Sequence, residues 1–318
     1  MGSVLMRAHH EQPATRRVLA QLELLISQRL AGAVHGDYQG FFPGPGDEAG
    51  EGRLYVPGDD VRMIDWNLSA RTTHTHVRDP IRDHELDVWL VVDLSASQSF
   101  GTRGGEKREL ALFGAAAFGF AATWLANRIG AVLLFDGESE VRPLRSGKIH
   151  LQATLHRIAQ LNTRSARPER PVGRTDLRPA LTQVGTVARR RGFIAVISDF
   201  LVEPGWANEL HRLSQRHTVV AVELVDPLEM RLPAVGSLAV EDPETGSRLT
   251  VDTLDGQLRE RYEEAARQQR QRIAYIIRNA GAEHLQLRTD QDWIGQLVRF
   301  FQLRRHRQYG YRRSSWVV

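Results

Sequence analysis

Val88-Trp89-Leu90-Val91-Val92-Asp93-Leu94-Ser95-Ala96-Ser97 decides how the chain is read. Five apolar residues, three of them valine, run without a charge; Asp93 then appears, and two hydroxyls follow at a spacing of two. An uncharged run rich in β-branched and aromatic residues reads as a strand buried on both faces of a parallel sheet. Asp93 then stands at the carboxyl end of that strand, where open α/β sheets bind their ligands. Ser95 and Ser97 fall in the loop that follows and can point with Asp93 toward one centre. Three oxygen donors suit a hard cation, Mg²⁺ first, because Mg²⁺ prefers oxygen and keeps several of its waters. The same residues would also cap the next helix, since Asp and Ser are common cap residues. The stretch alone leaves both readings open.

Downstream, strands and helices alternate. Leu110 to Ala126 carries no charge and is built largely of Ala and Gly between Glu109 and Arg128. It is short for a membrane span and reads as a core helix lying close against the sheet. Ala131 to Phe135 is a second strand; Asp136-Gly137 signals a tight hairpin, and Ser139 to Leu144 returns as an antiparallel edge strand. A helix follows over 148–161, then a loop from Arg164 to Gly173. Thr175-Asp176-Leu177 leads into a helix from about Pro179. Phe193 to Ser198 is another charge-free strand, and it too ends in a carboxylate, Asp199.

A helix through Leu210 and Leu213 and a strand from Thr218 to Leu224 come next. Pro227 to Thr253 reads as an inserted hairpin, with Leu238/Val240 and Leu249/Val251 alternating around a turn. Leu254 to Ala280 is a long amphipathic helix stopped by Gly281. His284 to Leu287 is a short strand, and a last helix is expected to be capped by Thr289 or Asp290. The pattern predicts an α/β fold with a doubly wound, mostly parallel sheet and one antiparallel edge strand.

Upstream, residues 1–34 show a helical pattern through Val18, Leu19, Leu22, Leu24, Leu25 and Leu30, and 36–50 is an irregular Gly/Pro/Asp-rich loop. In the segment from Arg53 to Arg71, Arg and Asp interleave with large apolar residues, which suits an extended docking segment pinned by paired side chains. His74 and His76 can share a strand face, but no third ligand stands near them in the sequence. The expected organisation is an N-terminal extension, 1–84, a main domain, 85–303, with its inserted hairpin over 227–253, and a basic tail, 304–318.

Composition narrows the chemistry. The chain has 318 residues, 42% hydrophobic and 25% charged, as ordinary globular proteins do. It holds no cysteine, which excludes disulfides, thiolate catalysis and iron–sulfur clusters. Met1 to Arg17 lacks the apolar core of a signal peptide, so a cytoplasmic location is expected. Net charge is +4, and Lys107 and Lys148 are the only lysines. The Arg/Tyr tail from Arg304 to Arg313 has a composition that can track a nucleic-acid backbone, but the modest net charge speaks against that use.

Three separate loops thus offer oxygen ligands: Asp93-x-Ser95-x-Ser97, Thr175 and Asp199. In this order they resemble the metal-ion-dependent adhesion site of von Willebrand factor A-type domains, whose Rossmann-like sheet has one antiparallel edge strand where the Asp136-Gly137 hairpin falls. A narrower resemblance rests on Arg53-x-Tyr55-x-Pro57-Gly58-Asp59-Asp60-x-Arg62-x-Ile64-Asp65-Trp66, on Ser69-Ala70-Arg71 and on Ile197-Ser198-Asp199-Phe200. These look like the signature of the bacterial family called domain of unknown function fifty-eight, over roughly residues 36–290. Gln98 stands where that family often has Met, a departure expected to be harmless.

The resemblance implies an ion, Mg²⁺ with Mn²⁺ or Ca²⁺ as alternatives, held by Ser95 and Ser97 directly, by Asp93 and Asp199 directly or through water, and by Thr175 according to state. It also implies a partner: members often occur beside MoxR-type AAA+ ATPases, so such an ATPase or its client is the expected protein partner, with no membrane insertion. On this reading the protein is a non-enzymatic, metal-dependent adaptor. A Mg²⁺-dependent hydrolase or phosphoryl transferase is the alternative, since an ion at a strand end can polarise a phosphoryl oxygen. It would need a nucleophile and a phosphate cradle, and the chain carries no Gly-x-x-x-x-Gly-Lys run. Nucleic-acid binding through the Arg/Tyr tail is the second alternative.

Overall fold

Strands without charge need apolar cover on both faces, and the fold supplies two layers of it. The computed structural model describes residues 20–29, 52–56, 61, 64–72, 74–78, 85–102, 105–165, 175–241 and 247–314. Residues 20–29 form α1. In chain order there follow β1 (Gly52–Leu54), α2 (Trp66–Arg71), β2 (His76–Arg78), β3 (Asp87–Asp93), the two-residue strands β4 and β5 (Gly101–Thr102, Gly105–Glu106), α3 (Lys107–Trp124), β6 (Arg128–Phe135) and β7 (Glu138–Arg145). Next come α4 (Lys148–Ser165), α5 (Arg178–Val187), β8 (Phe193–Ser198), α6 (Trp206–Arg216) and β9 (Thr218–Val225). The chain closes with β10 (Ser237–Glu241), β11 (Arg248–Asp252), α7 (Gly256–Asn279), β12 (Glu283–Arg288) and α8 (Trp293–Ser314).

Six strands make the central sheet in the order β12-β9-β8-β3-β6-β7. Its first four pairings are parallel, and only β7 runs against its neighbour, returning through the Asp136-Gly137 turn. β3 is central and wholly buried, and its side chains divide by alternation. Val88, Leu90 and Val92 enter one core with Ala115, Phe118, Leu155 and Leu297 from α3, α4 and α8. Trp89 and Val91 enter the other with Leu181, Leu210 and Ile277 from α5, α6 and α7. The Ala/Gly run is the core helix α3, with no charged residue between Leu110 and its end. Small residues let it approach closely: a β-carbon at Gly119 would stand 2.4 Å from Leu151 Cδ1. No helix among the described residues is long and apolar enough to cross a membrane.

The expected elements at the two ends of the chain need adjustment. In α1 Leu22 and Ile26 are buried at an i,i+4 spacing and Leu24 and Leu25 face outward, while Val18, Leu19 and Leu30 lie outside the described residues. Glu23 and Arg29 tie this helix to Lys148 (2.6 Å) and Asp292 (2.8 Å). β1 and β2 pair antiparallel, Ile64 bridges Val77, and Asp65 caps α2 by accepting from Leu68 N at 3.1 Å. The His76 ring lies 3.0 Å from the Thr72 hydroxyl and 2.8 Å from the His74 carbonyl, in purely local contacts. Residues 30–51, Pro57-Gly58-Asp59-Asp60 and Arg62-Met63 lie outside the described residues, as do most of the Arg164–Gly173 loop and the 242–246 turn.

At the other end, α8 is capped by neither expected residue. The Thr289 hydroxyl donates to Asp226 (2.7 Å) and Asp290 pairs with Arg288, whereas Asp292 accepts from Gly295 N at 3.2 Å. The helix continues to Ser314, so the tail expected from 304 begins inside it. Arg304 is buried, over the Phe193 ring and 3.2 Å from Glu283. The inserted hairpin exists as β10–β11, paired from Ser237↔Asp252 to Glu241↔Arg248 and separate from the main sheet.

One close approach fixes the amino ends of β3 and β8. A β-carbon at Gly192 would lie 2.3 Å from the Asp87 carbonyl oxygen, and a backbone atom in a central strand cannot swing aside. Gly192→Ala should therefore destabilise the fold by about 1–3 kcal/mol, the usual range for overpacking. Urea unfolding checks this; an unchanged midpoint would mean that the two strands part to admit the methyl.

Candidate functional site

Charge excluded from the strands collects at their carboxyl ends. Val92 pairs with Ile197, so Asp93 and Ser198 end adjacent parallel strands side by side. Asp93 is 1% exposed, and its Oδ2 accepts a 2.7 Å hydrogen bond from the Ser198 hydroxyl. Its Oδ1 accepts from Ser95 N at 3.0 Å, which turns the chain out of the strand. Ser95 then occupies the cap position of a 3-10 turn, Ala96–Ser99, but its side chain makes no capping bond. The Ser95 hydroxyl instead lies 3.1 Å from that of Ser97. Capping therefore does not account for the two serines.

Gln98 is fully buried beside them. Its amide nitrogen stands 3.4 Å from both Asp93 Oδ2 and Ser97 Oγ, and its Oε1 has no partner among the described residues. Gln98 thus reaches into the site. Burial, and next the charge of Asp199, push the Asp93 carboxyl up to about 6.

Asp199 is fully buried and holds the opposite balance. Burial alone would raise its pKa, but the Lys107 ammonium, the Leu201 amide and Arg270 together hold it below the usual carboxylate value. Lys107 Nζ lies 2.7 Å from Asp199 Oδ2 and 2.5 Å from Glu229 Oε1. Glu229 Oε2 accepts from Arg270 at 2.6 Å, and Arg270 also donates to the Asp199 carbonyl (3.0 Å) and to Glu223 (2.9 Å). Glu223 in turn is met by His284 at 2.8 Å. A buried chain of alternating charge therefore runs from Asp199 through Lys107, Glu229 and Arg270 to Glu223, where it meets the His284 ring on β12.

Thr175 is half-buried in the loop before α5, a helix packed on β3 and β6. Asp93, Leu134 and Ser139 are in register across the sheet, and an open cleft at that end is lined by Ser139, Asp176, Arg178, Thr182, Gln183 and Glu209. Hydrogen bonds bring Asp93, Ser95 and Ser97 together, Asp199 lies near enough for its charge to act on Asp93, and Thr175 stands in the loop before α5. Ser198, Lys107, Glu229 and Arg270 were not read from the sequence. For Lys107 a signal existed: it is a rare lysine in an Arg-rich chain, at the head of a helix that carries no charge after Glu109. The oxygens able to meet a hard cation belong to Asp93, Ser95, Ser97 and Gln98, while Asp199 Oδ2 is taken by Lys107. Among the described residues no group of three or more His, Asp or Glu side chains is arranged around a metal position.

A family model described as "Protein of unknown function DUF58" matches residues 51–272. The uncharacterized protein Rv1480 of Mycobacterium tuberculosis is 44% identical over 303 residues, covering 95% of this chain and 93% of that protein. The uncharacterized protein Mb1516 of Mycobacterium bovis matches to the same extent, 44% over 303 residues. Among solved structures, the conserved hypothetical protein BatB from Bacteroides thetaiotaomicron superposes with a TM-score of 0.45 at 14% identity, covering 69% of this chain and 98% of that one. A likeness of that strength carries no argument about activity.

Asp93 gives the site a pH signature. Its folded pKa of about 6 lies above the ordinary 3.8, so the folded chain binds this proton more tightly than the unfolded one. That contribution to stability is full below about pH 4 and is lost as pH rises through about 6. Asp93→Asn removes the titration. In metal-free buffer, wild type should lose roughly 3 kcal/mol relative to this variant across that window. Parallel urea-midpoint curves for the two proteins would show that Asp93 is not perturbed.

Proposed function

This chain belongs to the DUF58 family, a name that assigns no activity, and from that premise we propose that it is a non-enzymatic, metal-dependent protein-interaction module. The proposed fold relationship is to von Willebrand factor A-type, Rossmann-like domains. The proposed site is a Mg²⁺ position served by Asp93, Ser95 and Ser97, with Asp199 in its outer sphere and Thr175 joining it according to state. Mn²⁺ or Ca²⁺ would satisfy the same oxygens. A partner's Asp or Glu would complete the coordination, the partner being a MoxR-type AAA+ ATPase or its client.

One observation carries this reading. Two hydroxyls without a capping role face each other at 3.1 Å beside a buried carboxylate whose pKa is raised to about 6. Such a carboxylate lacks a positive charge, and the hydroxyls supply uncharged oxygens around the place where one would sit. The unpartnered Gln98 oxygen adds a further buried acceptor nearby. This donor set fits a hard cation. Few carboxylates around a divalent ion leave it electrophilic, which favours capture of an external carboxylate. The commitment of Asp199 to Lys107 supports docking over hydrolysis, because it removes the obvious candidate for a general base.

Thermal unfolding tests the site directly. A ligand that binds only the folded protein stabilises it by about 2.7 kcal/mol at a hundredfold excess over Kd. Mg²⁺ should therefore raise the wild-type midpoint and leave Asp93→Ala unchanged, while the metal-free variant should unfold at or slightly above the wild-type midpoint. In pull-downs an AAA+ ATPase should be recovered with wild type in Mg²⁺, and lost with EDTA or with Asp93→Ala. A wild-type midpoint indifferent to Mg²⁺, Mn²⁺ and Ca²⁺ alike would sink the reading.

A further inference from the structure

Lys107 is placed where a lysine is least expected. It is the first residue of α3, where the helix dipole disfavours a cation, and it is 1% exposed, where desolvation disfavours any charge. The helix end does not need it: Glu106 and Glu109 already form a reciprocal capping box. Two carboxylates explain its position. Its ammonium contacts Asp199 at 2.7 Å and Glu229 at 2.5 Å, with the Phe100 ring 6.0 Å away on another side. Those carboxylates are themselves clamped. Arg270 holds Glu229 Oε2 and the Asp199 carbonyl, and the Leu201 and Asp226 amides hold Asp199 Oδ1 and Glu229 Oε2. The Asp199 carboxylate cannot leave Lys107 without breaking the buried ion pair and straining the Leu201 amide bond.

We propose that Lys107 is the residue that sets the affinity and residual charge of the cation site: its ammonium neutralises Asp199 and keeps that carboxylate out of direct coordination, so that a divalent ion is held by Asp93 as its single anionic ligand. The inference rests on the cation-binding reading of Asp93, Ser95 and Ser97. Charge accounting gives its consequence. Asp93, Asp199 and Glu229 set against Lys107 and Arg270 leave one negative charge, so a bound divalent ion leaves one positive charge for an incoming carboxylate to neutralise. Without Lys107 the two carboxylates would cancel the ion, which would bind more tightly and attract a partner's acid less. Lys107 thus exchanges ion affinity for partner affinity.

The test is a double-mutant cycle on the full chain, with Mg²⁺ alone as the titrant in calorimetry. Asp199→Asn in the presence of Lys107 should change the Mg²⁺ Kd by less than about threefold, because that carboxylate is already neutralised. Lys107→Met should tighten Kd by about tenfold, and adding Asp199→Asn to it should abolish the gain. Should Lys107→Met fail to fold, Lys107→Met/Glu229→Gln removes the second unpaired carboxylate and carries the same expectation. The Asp199→Asn arm decides independently: a loss of about tenfold or more makes Asp199 a direct ligand and overturns the inference. Additive effects, with wild type binding Mg²⁺, also overturn it while leaving the cation site intact. Binding by the Lys107 variants but not by wild type supports the role of Lys107 and rejects the docking reading. Silence from all the proteins rejects both.

Discussion

Two carboxylates buried at the ends of neighbouring strands cannot both stay ionised unless positive charge is brought to them. That constraint organises the polar interior. Asp93 answers it by holding its proton more tightly and by accepting from Ser95, Ser198 and Gln98; Asp199 answers it with Lys107. Lys107 needs a second carboxylate to stay charged in so buried a place, and Glu229 supplies one. Glu229 in turn draws Arg270 inward from α7, and Arg270 draws Glu223 from β9. Each partner is explained by the one before it. Pairs of this kind are weak evidence for net stability but strong evidence for a fixed arrangement, since removing one member leaves a buried charge uncompensated.

Much of the frame was legible because its signals are one-dimensional. Charge-free runs at Val88–Val92 and Phe193–Ile197 announce strands covered on both faces, and Asp136-Gly137 announces a return strand. The alternation of strands and helices then leaves few topologies, and the observed sheet is one of them. The cap of α8 was misplaced by two or three residues because Thr289 and Asp290 have the right chemistry but are engaged elsewhere, with Asp226 and Arg288. Nothing local distinguishes a free cap from an engaged one. The expected tail was likewise a compositional reading; Arg304 is buried because Phe193 and Glu283, distant in sequence, await it.

The site divides along the same line. Asp93, Ser95 and Ser97 share one short stretch, and Asp199 ends the second charge-free strand, so both could be found by position. The partners could not. Lys107 and Asp199 are separated by 92 residues, and Lys107 and Glu229 by 122. Only the fold makes them neighbours. Gln98 illustrates the converse: nothing in the sequence marks it for the site, and its amide gains a role only once it is seen against Asp93.

The small-residue face of α3 bears on how fast anything can happen at its head. Gly119 leaves less room above Leu151 than a single methyl needs, and Gly114 lies under Ile197 and Leu287, so the helix is keyed into the sheet and into α4. A rod seated this way neither slides nor rolls, and the ammonium at its tip is a post rather than a hinge. On the proposed cation reading, an ion arriving at the site would have little protein rearrangement to wait for. The slow event would be the stripping of water from the ion itself, a step on which small, strongly hydrated cations and larger, looser ones differ. The rigidity of a helix packed on glycine would then be read out as kinetic discrimination between metals.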